Sequence, residues 1–165
     1  AAYREMKLAR DAFRKLLDRA LERTERHVAK HPDSTRGYYL GSGVLFELGR
    51  HEEGLRWVDR ALEVDPTDPG VHYNVACTLA IAGERERALH HIERAIELGF
   101  IGIEWLSADP DLVRLHDDPR FQADAAKALP GVASALDKAV KSGVVTRATA
   151  SRKRSRFTLA LNRAK

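Results

Sequence analysis

Residues 35–68, TRGYYLGSGVLFELGRHEEGLRWVDRALEVDPTD, laid over residues 69–102, PGVHYNVACTLAIAGERERALHHIERAIELGFIG, decide how this chain is read. Tyr39 falls on Tyr73, Leu45 on Leu79, Gly49 on Gly83, Leu55 on Leu89, Arg60 on Arg94 and Ala61 on Ala95. Self-similarity at a period of this length is the signature of stacked supersecondary units. Each unit has an apolar-periodic stretch, a Gly, a second periodic stretch and a breaker, Pro66 in the first and Gly99 in the second, which predicts two helical hairpins. Small residues at Gly41, Ser42, Ala76, Ala88 and Ala95 allow close helix approach. Leu45, Leu55, Val58, Leu79, Leu89 and Ile92 supply the apolar surface that neighbouring hairpins cover.

The pattern extends upstream and stops downstream. Pro32 precedes Pro66 by one period, so ALERTERHVAKHP reads as the second helix of an earlier unit. Residues 3–19 contain no Gly or Pro and form either that unit's first helix or part of one long helix to about residue 30. Gly54 stands inside a helix, where it costs about 1 kcal/mol relative to Ala. A third turn Gly would fall at 117, which is Asp. The stretch that follows the second unit carries Asp109-Pro110 and Asp118-Pro119, turn or helix-start signals.

Composition agrees with a folded chain. The 165 residues are 44% hydrophobic and 32% charged with net charge +4, enough for one domain with a real core. The charge is unevenly spread: residues 141–165 hold eight basic side chains and no acidic one, leaving 20 basic against 24 acidic over residues 1–140. A single Cys77 excludes an internal disulfide, so a reducing cytoplasm is the expected location. No apolar run reaches the roughly 18 residues of a membrane span, so no membrane partner is expected. The chain opens on Ala1 rather than Met, as a trimmed chain or a piece of a longer one would.

The spacing and the residue types at Tyr38, Gly41, Ser42, Leu45, Gly49, Ala61 and Pro66, then Val75, Ala76, Leu79, Gly83, Ala88 and Ala95, resemble the tetratricopeptide repeat. Together with YNVAC (73–77), the GF at 99–100 and DPDL…DDPRF, they resemble the repeat modules attached to bacterial adenylate cyclases, protein kinases and transcriptional regulators, over roughly residues 20–125. The resemblance implies an all-α, right-handed solenoid array over residues 1–125 whose first helices line a concave groove. By position that groove holds Arg36, Tyr39, Gly43, Phe46, Glu47, Tyr73, Asn74, Cys77 and Ile81, and it would bind a peptide or protein segment. The alternative for the same residues is packing against the next helix.

Residues 126–165 form a second region. The segment LDKAVKSGVVTRATASRKRSRFTLALN resembles the C-terminal helical hairpin of the bacterial small-subunit ribosomal protein family numbered twenty. Leu136 to Lys141, Gly143, Val144, Thr149, Ala150, Arg152, Lys153, Ser155, Arg156, Leu161 and Asn162 carry the likeness, while Thr146 and Ala148 depart from it. The resemblance implies RNA contact through Arg147, Arg152, Lys153, Arg154 and Arg156, and a salt-sensitive, phosphate-directed mode suits such a cluster. Helical spacing leaves open a solvated basic face on a packed helix. Gly143 suits a left-handed helix end, and Thr146 or Thr149 a cap. A further reading docks the hairpin as a terminal cap on the array, burying Val132, Leu136, Ala139, Val140, Val144, Phe157 and Leu161.

Catalysis is not expected. His90 and His91 are adjacent and so point to different helix faces, at the surface or in the groove, with no metal-ligand spacing around them. Cys77 reads as a small buried hydrophobe, and the Glu52-Glu53 and Asp117-Asp118 pairs as turn or helix-start residues. No catalytic residue, metal or cofactor is therefore assigned. The expected function is a non-catalytic interaction scaffold. The alternatives are an RNA- or ribosome-associated protein, a regulatory fragment of a larger signalling enzyme, or an engineered chimera.

Overall fold

A computed structural model of the chain describes residues 2–100, 102, 106 and 108–163, with Leu129, Val132 and residues 156–163 described through the backbone alone. Among the described residues all regular structure is helical: α1 (Ala2–Lys30), α2 (Thr35–Glu47), α3 (His51–Val64), α4 (Pro69–Ala82), α5 (Arg85–Glu97), a 3-10 helix (Pro110–Leu115), α6 (Pro119–Lys141) and α7 (Arg147–Arg163). No helix among them is long and apolar enough to cross a membrane.

The starts of these elements follow from local chemistry. Three times an Asp-Pro pair opens a helix. Asp68 accepts from Gly70 N–H at 2.6 Å, Asp109 from Asp111 N–H at 3.0 Å and Asp118 from Arg120 N–H at 2.9 Å. In each case the carboxylate satisfies a donor the first turn leaves orphaned, and Pro fills a position whose N–H has no partner to lose. Ser34 and Thr146 cap α2 and α7 in the same way, accepting from Gly37 and Thr149. Gly49 and Gly83 end α2 and α4 with φ of 76° and 85°, a region other residues enter at a cost.

The chain divides into two units, residues 1–66 and 67–165. In the first, α2 packs on both α1 and α3. Helix α1 is continuous from Ala2 to Lys30, the longer of the two readings of that stretch. It meets α2 through glycine: a Cβ on Gly37 would lie 2.7 Å from Val28 Cγ1, and one on Gly41 would collide with the Trp57 ring of α3 while lying 3.1 Å from Thr24 Cγ2. Gly54 has the same explanation, since a Cβ there would sit 2.5 Å from Phe46 Cε1. Leu45, Val58 and Ala61 form the centre of this core.

In the second unit α4 packs on α5 and on the 3-10 helix, α5 on α6, and α6 on α7. Its core is Val75, Ala76, Leu79, Ala88, Leu89, Ile92 and Ala95 with Leu106, Leu112, Leu115 and Phe121. Helices α2 and α4 begin at residues 35 and 69, and α3 and α5 at 51 and 85, so both hairpins recur at the 34-residue offset of the sequence. The buried small residues Ser42, Ala76, Ala88 and Ala95 lie where close approach requires them.

Two expectations change. The division expected at residue 125 falls inside α6, which runs from Pro119 to Lys141 and carries Pro130 in its interior. Val144, which the reading of the hairpin as a docked cap would bury, is 76% exposed because it sits in the turn after α6. Leu136, Ala139 and Val140 are half-buried and Ala150 is buried, while the side chains of Val132, Phe157 and Leu161 lie outside the described residues.

Candidate functional site

Helix α2 contributes Arg36, Tyr39, Gly43, Phe46 and Glu47. Its inner face, Gly37, Gly41, Ser42 and Leu45, is buried. Arg36 and Glu47 are exposed, and Gly43 and Tyr39 are half-buried. Arg36, Leu40, Gly43 and Glu47 follow one another at spacings of three and four, so they form one stripe along the outward side. Leu40, 51% exposed, is an apolar member of that stripe which the repeat pattern did not single out. Phe46 belongs elsewhere: its ring lies over Gly54 and 5.0 Å from the His51 ring, between α2 and α3.

Helix α4 contributes Tyr73, Asn74, Cys77 and Ile81, and the chain itself covers part of that face. Tyr73 and Cys77 are buried. The Tyr73 hydroxyl donates to Asp109 Oδ2 at 2.6 Å, with its ring stacked on Phe100 at 4.4 Å. Cys77 Sγ lies 3.8 Å from the same oxygen. Phe100 lies 34 residues after Pro66, and its ring covers that of Tyr73. Asn74 Nδ2 donates to Gly70 O at 2.7 Å, and Ile81 is exposed beside Arg114, whose guanidinium donates to Ile81 O at 3.4 Å. Tyr73 and Cys77 thus face the segment that enters the 3-10 helix rather than open solvent.

The electrostatics of this corner are those of a buried hydrogen-bonded joint. Burial first, and then the bond to Asp109, raises the Tyr73 hydroxyl far above its ordinary range. Burial and the Asp109 charge push the Cys77 thiol up to about 12, so it is neutral and a poor nucleophile. Cys77, Asp109 and Asp111 form the one group of three metal-type donors among the described residues, their ligand atoms within 4.8 Å of one another. Both Asp109 oxygens accept hydrogen bonds, from Tyr73 and from Asp111 N–H. The trio works as a fastener between α4 and the 3-10 helix.

A second joint lies at the start of α6. Asp118 is buried and accepts from Arg120 and from Arg85 at 3.2 Å, while Arg120 makes two bonds to Glu86 at 2.8 and 2.9 Å. Hydrogen bonds from Arg120, and next from Arg85, hold the Asp118 carboxyl down to about 2. Arg85 also donates to Arg114 O at 2.6 Å, which ties α5 to the 3-10 helix. His91, expected at the surface or in the groove, is instead buried, with its Nδ1 at 3.0 Å from His72 Nδ1 across α4 and α5. His90 is exposed. Apart from Asp118 and Arg120, two residues apart, these partners lie 19 to 34 residues from one another, and no sequence spacing announces them.

The basic hairpin presents its cations differently. Arg147, Arg152, Lys153 and Arg154 are exposed, and the side chain of Arg156 lies outside the described residues. Arg154 is paired with Asp137 of α6 at 2.5 Å. An open cleft of about 420 Å³ between α6 and α7 is lined by Asp137, Val140, Lys141, Arg147, Ala150, Ser151 and Arg154. Arg147, Lys153 and Arg152 carry no ion pair among the described residues, although Arg152 Nε donates to Ala148 O at 3.4 Å.

No family model matches the chain. No curated protein matches it either.

Proposed function

We propose that the chain is a non-catalytic protein-interaction module of tetratricopeptide type, in which α2–α3 and α4–α5 are successive hairpins of a right-handed superhelical array. Support comes from the 34-residue recurrence of helix starts and from equivalent burial of Leu45 and Leu79 and of Ala61 and Ala95. The observation that carries the functional part is the outward stripe of α2, where Arg36, Leu40 and Glu47 are exposed opposite a fully packed inner face. A peptide or protein segment lying along it would find an apolar centre at Leu40, the amphipathic edge of Tyr39, and charges of opposite sign at the two ends. On α4 the chain's own segment already holds Tyr73 and Cys77, so α2 is the part of the expected groove open to a partner.

A second reading is favoured by one observation: Arg147, Arg152 and Lys153 are exposed and without ion pairs among the described residues on α7. That face suits RNA phosphates, with affinity falling steeply as salt rises. Affinity capture from lysate with and without nuclease separates the two. Nuclease-resistant partners lost in Leu40→Asp support the scaffold. Partners lost to nuclease, or to charge reversal at Arg152 and Lys153, support the RNA reading and sink the first.

A further inference from the structure

The apolar face that packs α1 on α2 does not end where α2 ends. At its C-terminal end that face presents Leu21, Thr24 and Val28, and the last two meet Gly41 and Gly37 of α2. Toward the N-terminus the same row continues at helical spacing through Ala20, Leu17, Phe13 and Met6, with Ala9 and Leu16 along one flank. Leu17 and Ala20 are half-buried at the edge of the contact. Beyond it Leu16 is 60% exposed, Phe13 53% and Met6 68%. Met6 and Phe13 in the row, with Leu16 on its flank, form the kind of exposed patch that marks an interaction surface.

Charge narrows the occupant. Residues 2–19 hold six basic side chains (Arg4, Lys7, Arg10, Arg14, Lys15 and Arg19) and three acidic ones (Glu5, Asp11 and Asp18). Lys7, Arg10 and Arg14 line one edge of the row at spacings of three and four, with no ion pair among the described residues. A second copy would bring the same excess of positive charge against itself. An anionic lipid surface would meet the same basic edge, and the vesicle arm of the test below separates it from a protein helix. The neighbouring part of this very face already receives a helix, α2.

From the continuity of the face and the charge of its edge, we infer that the N-terminal half of α1 is a docking ridge for an amphipathic helix with an acidic edge, supplied by another protein. The partner's apolar residues cover Met6, Phe13 and Leu16, and its carboxylates meet Lys7, Arg10 and Arg14. This is helix-on-helix packing with a charge-selected register. It is independent of the α2 stripe, so either can fail without the other.

The test uses the whole chain and a three-heptad synthetic helix with Leu at the core positions and Glu along the flanks, beside its Lys-for-Glu counterpart. Fluorescence anisotropy of the labelled peptides is expected to show binding of the acidic helix at least about tenfold tighter than the basic one, weakened about fivefold or more by about 0.5 M salt. Phe13→Ser is expected to weaken it about tenfold or more. Leu8→Ser, about 140° round the helix from Phe13, is expected to leave it unchanged, and Arg10→Glu with Arg14→Glu to reverse the preference. Since these positions are exposed, unchanged far-UV circular dichroism is expected for every variant. Equal binding of the two peptides, or equal loss in Leu8→Ser and Phe13→Ser, overturns the inference. So does sedimentation of a dimer abolished by Phe13→Ser, or binding to phosphatidylserine vesicles in preference to the acidic helix.

Discussion

Gly41→Ala is the substitution for which the structure and simple helix propensity disagree in sign. Replacing an interior helical Gly by Ala gains about 1 kcal/mol through a less flexible unfolded chain. At Gly41, however, the new methyl would run into the indole of Trp57 on one side and approach Thr24 Cγ2 to 3.1 Å on the other. Trp57 has little freedom to withdraw, because the Tyr38 ring stands edge-on to it at 5.6 Å. Overpacking of this kind costs about 1–3 kcal/mol, and with two helices and an aromatic pair to displace the upper part of that range applies. The expected net effect is a loss of about 1–2 kcal/mol. Urea unfolding followed by far-UV circular dichroism measures it. Gly131→Ala is the internal control. It lies in the interior of α6 with nothing within 4 Å of a built Cβ, so it should gain up to about 1 kcal/mol. Gly41→Ala matching Gly131→Ala in sign would refute the close-approach account of how α1, α2 and α3 meet.

Other consequences are separable. Cys77, neutral with its thiol raised to about 12, should react with iodoacetamide at pH 8 about a thousandfold more slowly than an ordinary cysteine thiol. Tyr73→Phe removes the donor to Asp109 and should cost about 1–3 kcal/mol in thermal or urea unfolding of the second unit, with faster Cys77 alkylation as its companion. Asp118 has a folded-state value of about 2 against 3.8 for the free carboxyl. Its stabilising contribution is therefore complete above about pH 4 and is lost as pH falls toward 2. Asp118→Asn should be less stable than wild type at neutral pH and show a shallower stability loss over that acid range, measured by unfolding at a pH series. Asp137→Ala removes a carboxylate from the side of the basic hairpin, so any RNA affinity measured by filter binding should rise.

Much of the architecture was legible in the sequence because it rests on local chemistry and on repetition. The period in Leu45/Leu79 and Ala61/Ala95 placed four helices, and Asp109-Pro110 and Asp118-Pro119 marked the next two starts. Gly143 and Thr146 located the last turn, where Gly143 has φ of 73°. Gly54 was legible only as a cost, since its reason lies in Phe46 across the hairpin. The candidate groove was legible by position and not by accessibility. Whether Tyr73 and Cys77 are open depends on Asp109, 36 and 32 residues away, and no helical period reports a contact made by an irregular segment. His91 illustrates the same limit, because pairing with His72 removes the burial cost that its polarity implies.

The proposed function rests on a peptide segment binding along the outward stripe of α2. Selection from a random peptide library displayed on phage, carried out on the purified chain, tests it most directly. Enriched peptides are expected whose binding is lost in Leu40→Asp and weakened in Tyr39→Ala, yet is retained when Arg152 and Lys153 are reversed in charge. Enriched peptides indifferent to Leu40→Asp, or a failure to enrich any peptide, would contradict it.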